Sequence, residues 1–256
     1  GYNILGTEDS VKSFTQKDFI NFIGEHLDTS KMVFSVVGNI SFTKAVNRLA
    51  PLLSNSPASQ STKKRLPSLS YIPQSNAFHK DISQANCALG KPALSIHDPR
   101  RYKLHLLNNI LGGPSMNSRL NMALREKHGL VYSIESVYQA FTDTGFIGIY
   151  YGTEEKAAAK ARKIVLKEIQ RICTRKLGSM QLHMGKEQAI GQMAMAEENH
   201  AGLMLVYGKN LLDKGKIEPL EAIFSSIRSC TAEELLELAN EIYDIDKFSF
   251  LTYLPK

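Results

Sequence analysis

Two stretches of this chain carry one pattern written twice. Residues 13–37, SFTQKDFINFIGEHLDTSKMVFSVV, and residues 229–253, SCTAEELLELANEIYDIDKFSFLTY, align without a gap at an offset of 216 (229 − 13). Ser13, Thr15, Glu25, Asp28, Lys31 and Phe34 meet Ser229, Thr231, Glu241, Asp244, Lys247 and Phe250. The apolar pairs Phe19/Leu235, Ile20/Leu236 and Phe22/Leu238 match as well. Each copy reads as a capped amphipathic helix, an Asp turn, a Lys and a strand. Shared helix–turn–strand grammar is the plainer explanation, but the gapless run favours a duplicated domain.

The two copies are unequally furnished. Only twelve residues precede the first copy, while a long run of further elements precedes the second. Between them lies SPASQSTKKRLPSLS, polar, rich in Pro and Ser and without periodicity, which reads as a linker. The expected organisation is residues 1–54 as the truncated remnant of a first domain, 55–72 as linker and 73–256 as a complete second domain. A strand–helix remnant cannot bury its apolar faces alone, so it is expected to pack on the second domain or on a partner. On this reading Gly1 is not a natural start.

Residues 1–12 read as irregular. A helix follows from Thr15 to about Leu27, then a strand from Met32 to Val37 and a helix from Ser41 or Thr43 to Ser54. After the linker come a long strand over 77–89 and a helix from Asp98 or Pro99 to Leu111. A hairpin joins 132–141 to 146–151 through Thr142-Asp143-Thr144-Gly145. Thr153 is expected to cap the next helix, whose stripe is Ala157, Ala161, Ile164, Val165, Ile169 and Ile172. Residues 179–213 read as helical with a break near Asn199 to Gly202. Two shorter helices and a strand over 248–253 close the chain. Helices over one face of a largely antiparallel sheet give an α+β fold, a two-layer sandwich.

The net charge of +6 comes from 31 basic and 25 acidic residues spread along the chain, densest at Lys63-Lys64-Arg65 and Arg100-Arg101. No basic stripe is interleaved with aromatics, so no nucleic-acid partner is expected. No apolar run approaches the length of a membrane span. Cys87, Cys173 and Cys230 are too widely spaced for a disulfide framework or zinc ribbon and are expected as free thiols. No His-x-x-Glu-His, nucleotide loop or G-x-S-x-G elbow occurs. Glu197 with His200, and His183 with Glu187, have helical spacing for one metal, but isolated pairs of this kind are usually surface pairs.

The segment LGGPSMNSRLNMALREKHGLVYS, residues 111–133, is the most structured text in the chain. After Gly-Gly-Pro, Ser115 or Asn117 is placed to cap a helix. Met116, Leu120 and Leu124 recur at four-residue steps with Ala123 beside them, giving a stripe toward a sheet. Lys127 and His128 suit the helix C-terminus, and Gly129 ends it. Arg125 thus stands near the end of the helix and Tyr132 on the strand that follows. Arg offers a planar fork of donors and Tyr a phenolic donor. Taken alone, they read as an exposed helix Arg and a half-buried strand Tyr.

Gly112-Gly113, Ser118-Arg119-Leu120, Leu124-Arg125-Glu126 and Gly129 to Tyr132 together resemble the second-domain signature of the inverted-zincin metallopeptidases, the pitrilysin, insulinase and mitochondrial processing peptidase family. The opening Ile4-Leu5-Gly6-Thr7 resembles the segment that follows that family's zinc site. The resemblance covers the whole chain and is specific at 111–133. It implies two related domains closing around a peptide, the first holding zinc through His-x-x-Glu-His and a distal Glu, where a zinc-bound water attacks the peptide carbonyl. It also implies that Arg125 and Tyr132, seven apart (132 − 125), hold the substrate and stabilise the developing oxyanion. The zinc ligands are expected upstream of Gly1, so no residue here is assigned to metal, and the chain alone is expected to bind no zinc and cleave nothing. The expected partners are a peptide or unfolded polypeptide, the N-terminal zinc domain, and a homodimer or heterodimer mate. A non-catalytic partner subunit, or a scaffold without a peptide groove, are the alternatives. The residues set no compartment.

Overall fold

The computed structural model describes residues 4–54 and 70–256. The expected linker, apart from Ser70 to Ile72, lies outside the described residues. Contacts divide the chain into two units: Gly1–Pro67 with Asn199–Ile217, and Ser68–Glu198 with Glu218–Lys256. Residues 199–217 therefore group with the first unit, whereas the sequence suggested one body over 73–256.

In the first unit, α1 (Glu8–Lys12) stands where irregular chain was expected, because Thr7 and Ser10 form a capping box. Then come α2 (Gln16–His26) and α3 (Phe42–Leu53). Residues 32–37, expected as a strand, carry no strand assignment. A strand is defined by its ladder, and among the described residues this segment has no strand neighbour. The helix α7 (His200–Lys214) supplies packing instead. Its Tyr207 and Leu211 line, with Val33, Val36, Leu49 and Leu53, a cleft of about 540 Å³. Gly208 lets it come close, since an added Cβ would stand 3.3 Å from Ser35 Cβ.

The second unit holds a five-stranded sheet, β1 (Ser75–Lys80), β2 (Ala85–Ala93), β3 (Val131–Ala140), β4 (Gly145–Thr153) and β5 (Ser249–Pro255), in the order β1-β5-β2-β4-β3. β1 runs parallel to β5, and the other neighbours are antiparallel. The long strand expected over 77–89 is thus two strands, and β5 lies between them. Asp81 to Gln84 break the ladder, with Ile82 N–H donating to Lys80 O at 3.1 Å. Nothing in local periodicity tells a strand that a partner far along the chain will enter beside it.

The helices α4 (Arg101–Gly112), α5 (Ala158–Thr174), α6 (Ser179–Ala196), α8 (Leu220–Arg228) and α9 (Ala232–Ile242) complete the unit. Alternation along the strands decides what they cover. Cys87 and Leu89, Ile134 and Tyr138, and Ile147, Ile149 and Tyr151 are buried in one core with Leu104, Leu107, Leu111, Val165, Ile169, Leu238 and Ile242. On the opposite face Asn86, Glu135, Gln139 and Tyr150 are exposed. One face packed and one face open is the two-layer α+β sandwich that the strand and helix pattern implied.

Thr153, expected as a helix cap, is instead the last residue of β4, and its Oγ1 donates to Leu130 O at 2.6 Å. A 3-10 turn, Glu155–Ala157, then leads into α5. At the chain's return to the second unit, Glu218 accepts from Arg101 Nη2 at 2.6 and 2.7 Å and from the Tyr102 hydroxyl at 2.5 Å. Burial and the Glu218 carboxylate push the Tyr102 phenol up to about 12.

The duplicated text folds into duplicated devices. In α2 the Asp18 carboxylate accepts from Thr15 N–H at 2.8 Å, and in α9 Glu234 accepts from Thr231 N–H at 3.0 Å. After each helix an Asp caps a 3-10 turn: Asp28 accepts from Ser30 N–H at 3.1 Å and Asp244 from Asp246 N–H at 3.2 Å. Lys31 then reaches Asp28 at 2.8 Å, and Lys247 reaches Asp244 at 3.0 Å. The side chains paired by the gapless alignment do the same jobs.

Candidate peptide-holding site

The segment between α4 and β3 is held from several sides. Gly112, the last residue of α4, is buried against the sheet. A Cβ there would meet Ser136 Cβ at 2.7 Å and Leu120 Cδ1 at 2.9 Å, so only glycine permits this approach. Gln192 on α6 donates through Nε2 to Ser115 Oγ at 2.8 Å and accepts from Asn109 Nδ2 at 2.6 Å, fixing the turn to α4. Ser115 is therefore spent on α6 rather than on a cap. Helical residues begin at Arg119, and Ser118 Oγ, buried, accepts from Asn121 Nδ2 at 2.9 Å.

From Asn121 to Glu126 the helix is wound as a π-helix. Lys127 N–H closes on Met122 O at 3.0 Å, a five-residue step. Leu120 and Leu124 are fully buried, in line with the expected stripe, but Met116 is 60% exposed because it lies in the turn before the helix. The end of the helix leaves few carbonyls idle. His128 Nδ1 donates to Ala123 O at 2.7 Å, Leu130 N–H to Leu124 O at 2.9 Å and Gly129 N–H to Arg125 O at 3.0 Å. Gly129 has φ +58, the left-handed conformation that ends the helix.

The strand then begins with a bulge. Val131 pairs with Thr153 and Ile134 with Tyr151, so Tyr132 and Ser133 together oppose Gly152. Val131 and Ile134 are both buried on the helix side. With regular alternation a residue two before Ile134 would face the same core. The extra residue puts Tyr132 outside instead, where it is 86% exposed. The sequence suggested a half-buried Tyr, because period-2 counting carries no sign of the bulge.

Arg125 and Tyr132 converge at the β3 edge of the sheet. The guanidinium carbon of Arg125 lies 5.8 Å from the centroid of the Tyr132 ring, within cation–π range. The side chain of Arg125 is 40% exposed, and its Nε stands 3.7 Å from Glu126 Oε1, too long for a hydrogen bond. The fork and the phenol therefore stand together, both open to a ligand. The arrangement puts guanidinium N–H donors and a phenolic O–H donor on neighbouring side chains. It offers no general base and no nucleophile.

Of the other sequence candidates, Glu197 caps the C-terminus of α6, His200 begins α7, and His183 and Glu187 lie within α6. Among the described residues no group of three or more His, Cys, Asp or Glu is placed to hold a metal ion. All three thiols are free, and burial raises their pKa, to about 11 for Cys173. Sequence reading gave no role to Asn108 and Ser136, which pin α4 to β3. An Asn inside an apolar helix stripe was the available signal.

A family model described as the Peptidase M16 inactive domain matches residues 13–188. Among curated proteins, an uncharacterized zinc protease of Rickettsia felis is 31% identical over 246 residues, covering 95% of this chain and 58% of that protein. The uncharacterized zinc protease YmxG of Bacillus subtilis is 30% identical over 248 residues, covering 96% of this chain and 59% of that protein. The chain thus spans less than two thirds of the length of these relatives. A solved peptidase M16 inactive domain from Pseudomonas fluorescens superposes with TM-score 0.82 at 19% identity, over 98% of this chain and 60% of that one. A chain of Complex III2 from Candida albicans superposes with TM-score 0.81 at 16% identity, over 98% of this chain and 61% of that one.

Proposed function

Because the chain belongs to the Peptidase M16 inactive-domain family, we propose that it is the substrate-holding part of a zinc-dependent metalloendopeptidase, with Arg125 and Tyr132 acting on the peptide. The observation that carries this reading is the convergence of those two side chains at a sheet edge, with the Arg125 guanidinium carbon 5.8 Å from the centre of the Tyr132 ring. The guanidinium fork and the phenolic hydroxyl donate to a substrate carbonyl, and their bonds strengthen as charge develops on that oxygen. The π-helix and the bulge fix the backbone from which both side chains project, which supports the reading that they meet the substrate at one edge.

Zinc enters this reading through the parent protein, as the names of the relatives imply. No zinc ligand is assigned among the described residues. In the parent, Arg125→Ala and Tyr132→Phe are expected to lower kcat/KM while bound zinc is unchanged. Full activity in both variants would refute the role. A second reading, a substrate-holding subunit beside a separate catalytic chain, is favoured by the family model's own description as inactive. An intact His-x-x-Glu-His in the parent selects the enzyme, and a degenerate one selects the subunit.

A further inference from the structure

Ser118-Arg119-Leu120 belongs to the same segment as Arg125, yet Arg119 has no part in holding a peptide at the β3 edge. Its Nη1 is one of two buried side-chain polar atoms without a hydrogen-bond partner among the described residues. An unsatisfied guanidinium N–H is costly, because its hydration is lost without replacement. Burial holds the Arg119 pKa below its ordinary value, and Glu168 and Arg171 act on it with opposite signs. The group stays cationic all the same.

Two hollows meet at this side chain. A small one of about 240 Å³ lies toward α6, bordered by Gln181 and Gln188. A larger cleft of about 720 Å³ lies between the π-helix and α5, and Arg119, Asn117 and Gln181 border both. The larger cleft carries four cations, Arg119, Lys127, Lys167 and Arg171, against the two carboxylates of Glu126 and Glu168. Glu168 and Arg171 are largely spent on each other, Oε1 accepting from Nη1 at 2.6 Å, which leaves Arg119, Lys127 and Lys167 against Glu126. Lys127 and Lys167 are exposed at the rim. The cleft thus combines a positive balance, room for a ligand and one buried donor still lacking an acceptor.

We propose that the cleft between the π-helix and α5 is an oxyanion-binding site, in which a phosphate or carboxylate group accepts from the Arg119 guanidinium and is flanked by Lys127 and Lys167. An anion seated there touches the helix that carries Arg125, since Met122, Ala123 and Glu126 also line the cleft. The site therefore stands apart from the peptide-holding edge but is joined to it through one helix.

The test is thermal unfolding of the full chain at fixed ionic strength, titrated with inorganic phosphate, with acetate or with chloride. Phosphate or acetate is expected to raise Tm saturably where chloride does not, as for any ligand bound by the folded state alone. A response to phosphate only identifies a phosphate site, and a response to acetate only identifies a carboxylate site. Arg119→Met is expected to abolish the response. Replacing the two exposed lysines together, Lys127→Gln with Lys167→Gln, is expected to weaken apparent affinity about tenfold or more, the worth of a lost charge-assisted contact. Should Arg119→Met fail to fold, the double lysine variant decides. No oxyanion response beyond chloride, or a response that survives in every folded variant, overturns the proposal.

Discussion

Asn108 and Ser136 exchange two hydrogen bonds across the seam between α4 and β3. Asn108 Nδ2 donates to Ser136 O at 2.8 Å, and Ser136 Oγ returns a bond to Asn108 Oδ1 at 2.6 Å. Both residues are buried, at 8% and 4% exposure. The pair ties the helix that precedes the site to the strand that carries Tyr132.

Asn108→Leu removes one side of that exchange and strands the Ser136 hydroxyl in an apolar seam. A loss of about 1–3 kcal/mol is expected, the cost of leaving a buried partner unsatisfied. Urea denaturation of the full chain measures it. Unchanged stability would show that the pair is not holding the seam.

Two glycines in the segment are required for different reasons, and alanine distinguishes them. At Gly129 an added Cβ meets nothing within 4 Å but φ is +58, so the cost is the left-handed penalty of about 1–2 kcal/mol. At Gly112 an added Cβ meets Ser136 Cβ at 2.7 Å and Leu120 Cδ1 at 2.9 Å. Gly112→Ala is therefore an overpacking change, with an expected loss of about 1–3 kcal/mol and a displaced β3. Backbone amide shifts in β3 should move in Gly112→Ala and stay put in Gly129→Ala.

Arg125→Ala removes a side chain that is 40% exposed, and Tyr132→Phe removes a hydroxyl from a residue that is 86% exposed. Stability of this chain is expected to change by no more than about 0.5 kcal/mol in either variant. In the parent, loss of one preorganised donor is expected to cost roughly 10²–10³ in turnover if both donors meet the developing oxyanion. A large stability loss with normal turnover would assign the pair to structure.

Glu218 is the carboxylate that meets the nearly buried Arg101, whose side chain is 11% exposed and whose Nη1 also donates to Asp98 O at 3.4 Å. Glu218→Ala leaves that charge uncompensated, and about 3 kcal/mol or more should be lost. Glu218→Gln keeps the shape and acceptor oxygen and should lose less. Equal loss in the two variants would mean that charge is not the issue.

The two Asp turns give a pH signature. Lys31 first, then Ser30, hold the Asp28 carboxyl down at about 2 against an ordinary 3.8, and Lys247 likewise lowers Asp244. A depressed folded pKa means that the folded chain favours the charged form. The contribution is therefore present above about 3.8 and is lost as pH falls through the folded value. Carboxyl chemical shifts should titrate below the ordinary Asp range at both positions, and Lys31→Met or Lys247→Met should return its own partner toward 3.8.

Much of this is legible in the sequence. The hairpin, the stripe of α5, the break before α7 and the repeated Thr, Asp and Lys devices all follow from local patterns, because capping and period obey short-range chemistry. The misreadings share a different origin. The split between β1 and β2, the entry of β5 between them and the strand role of Thr153 depend on pairing with residues far away, which no local period encodes. The site was half visible. The spacing of Arg125 and Tyr132 is in the text, but the π-turn and the bulge that bring them together leave no mark in composition or period.

The bulge makes the exposure of Tyr132 a matter of chain length rather than residue identity. Side chains along a strand change face at every step, so one inserted residue reverses the parity of everything before it. Val131 faces the core, and Tyr132 does not, because of a count. Replacing side chains one at a time leaves that count untouched. Deleting Ser133 would close the bulge into regular alternation, with Val131 and Ile134 still toward the core and Tyr132, between them, still outside. The bulge is thus the device that absorbs one surplus residue before Ile134 without turning Tyr132 inward.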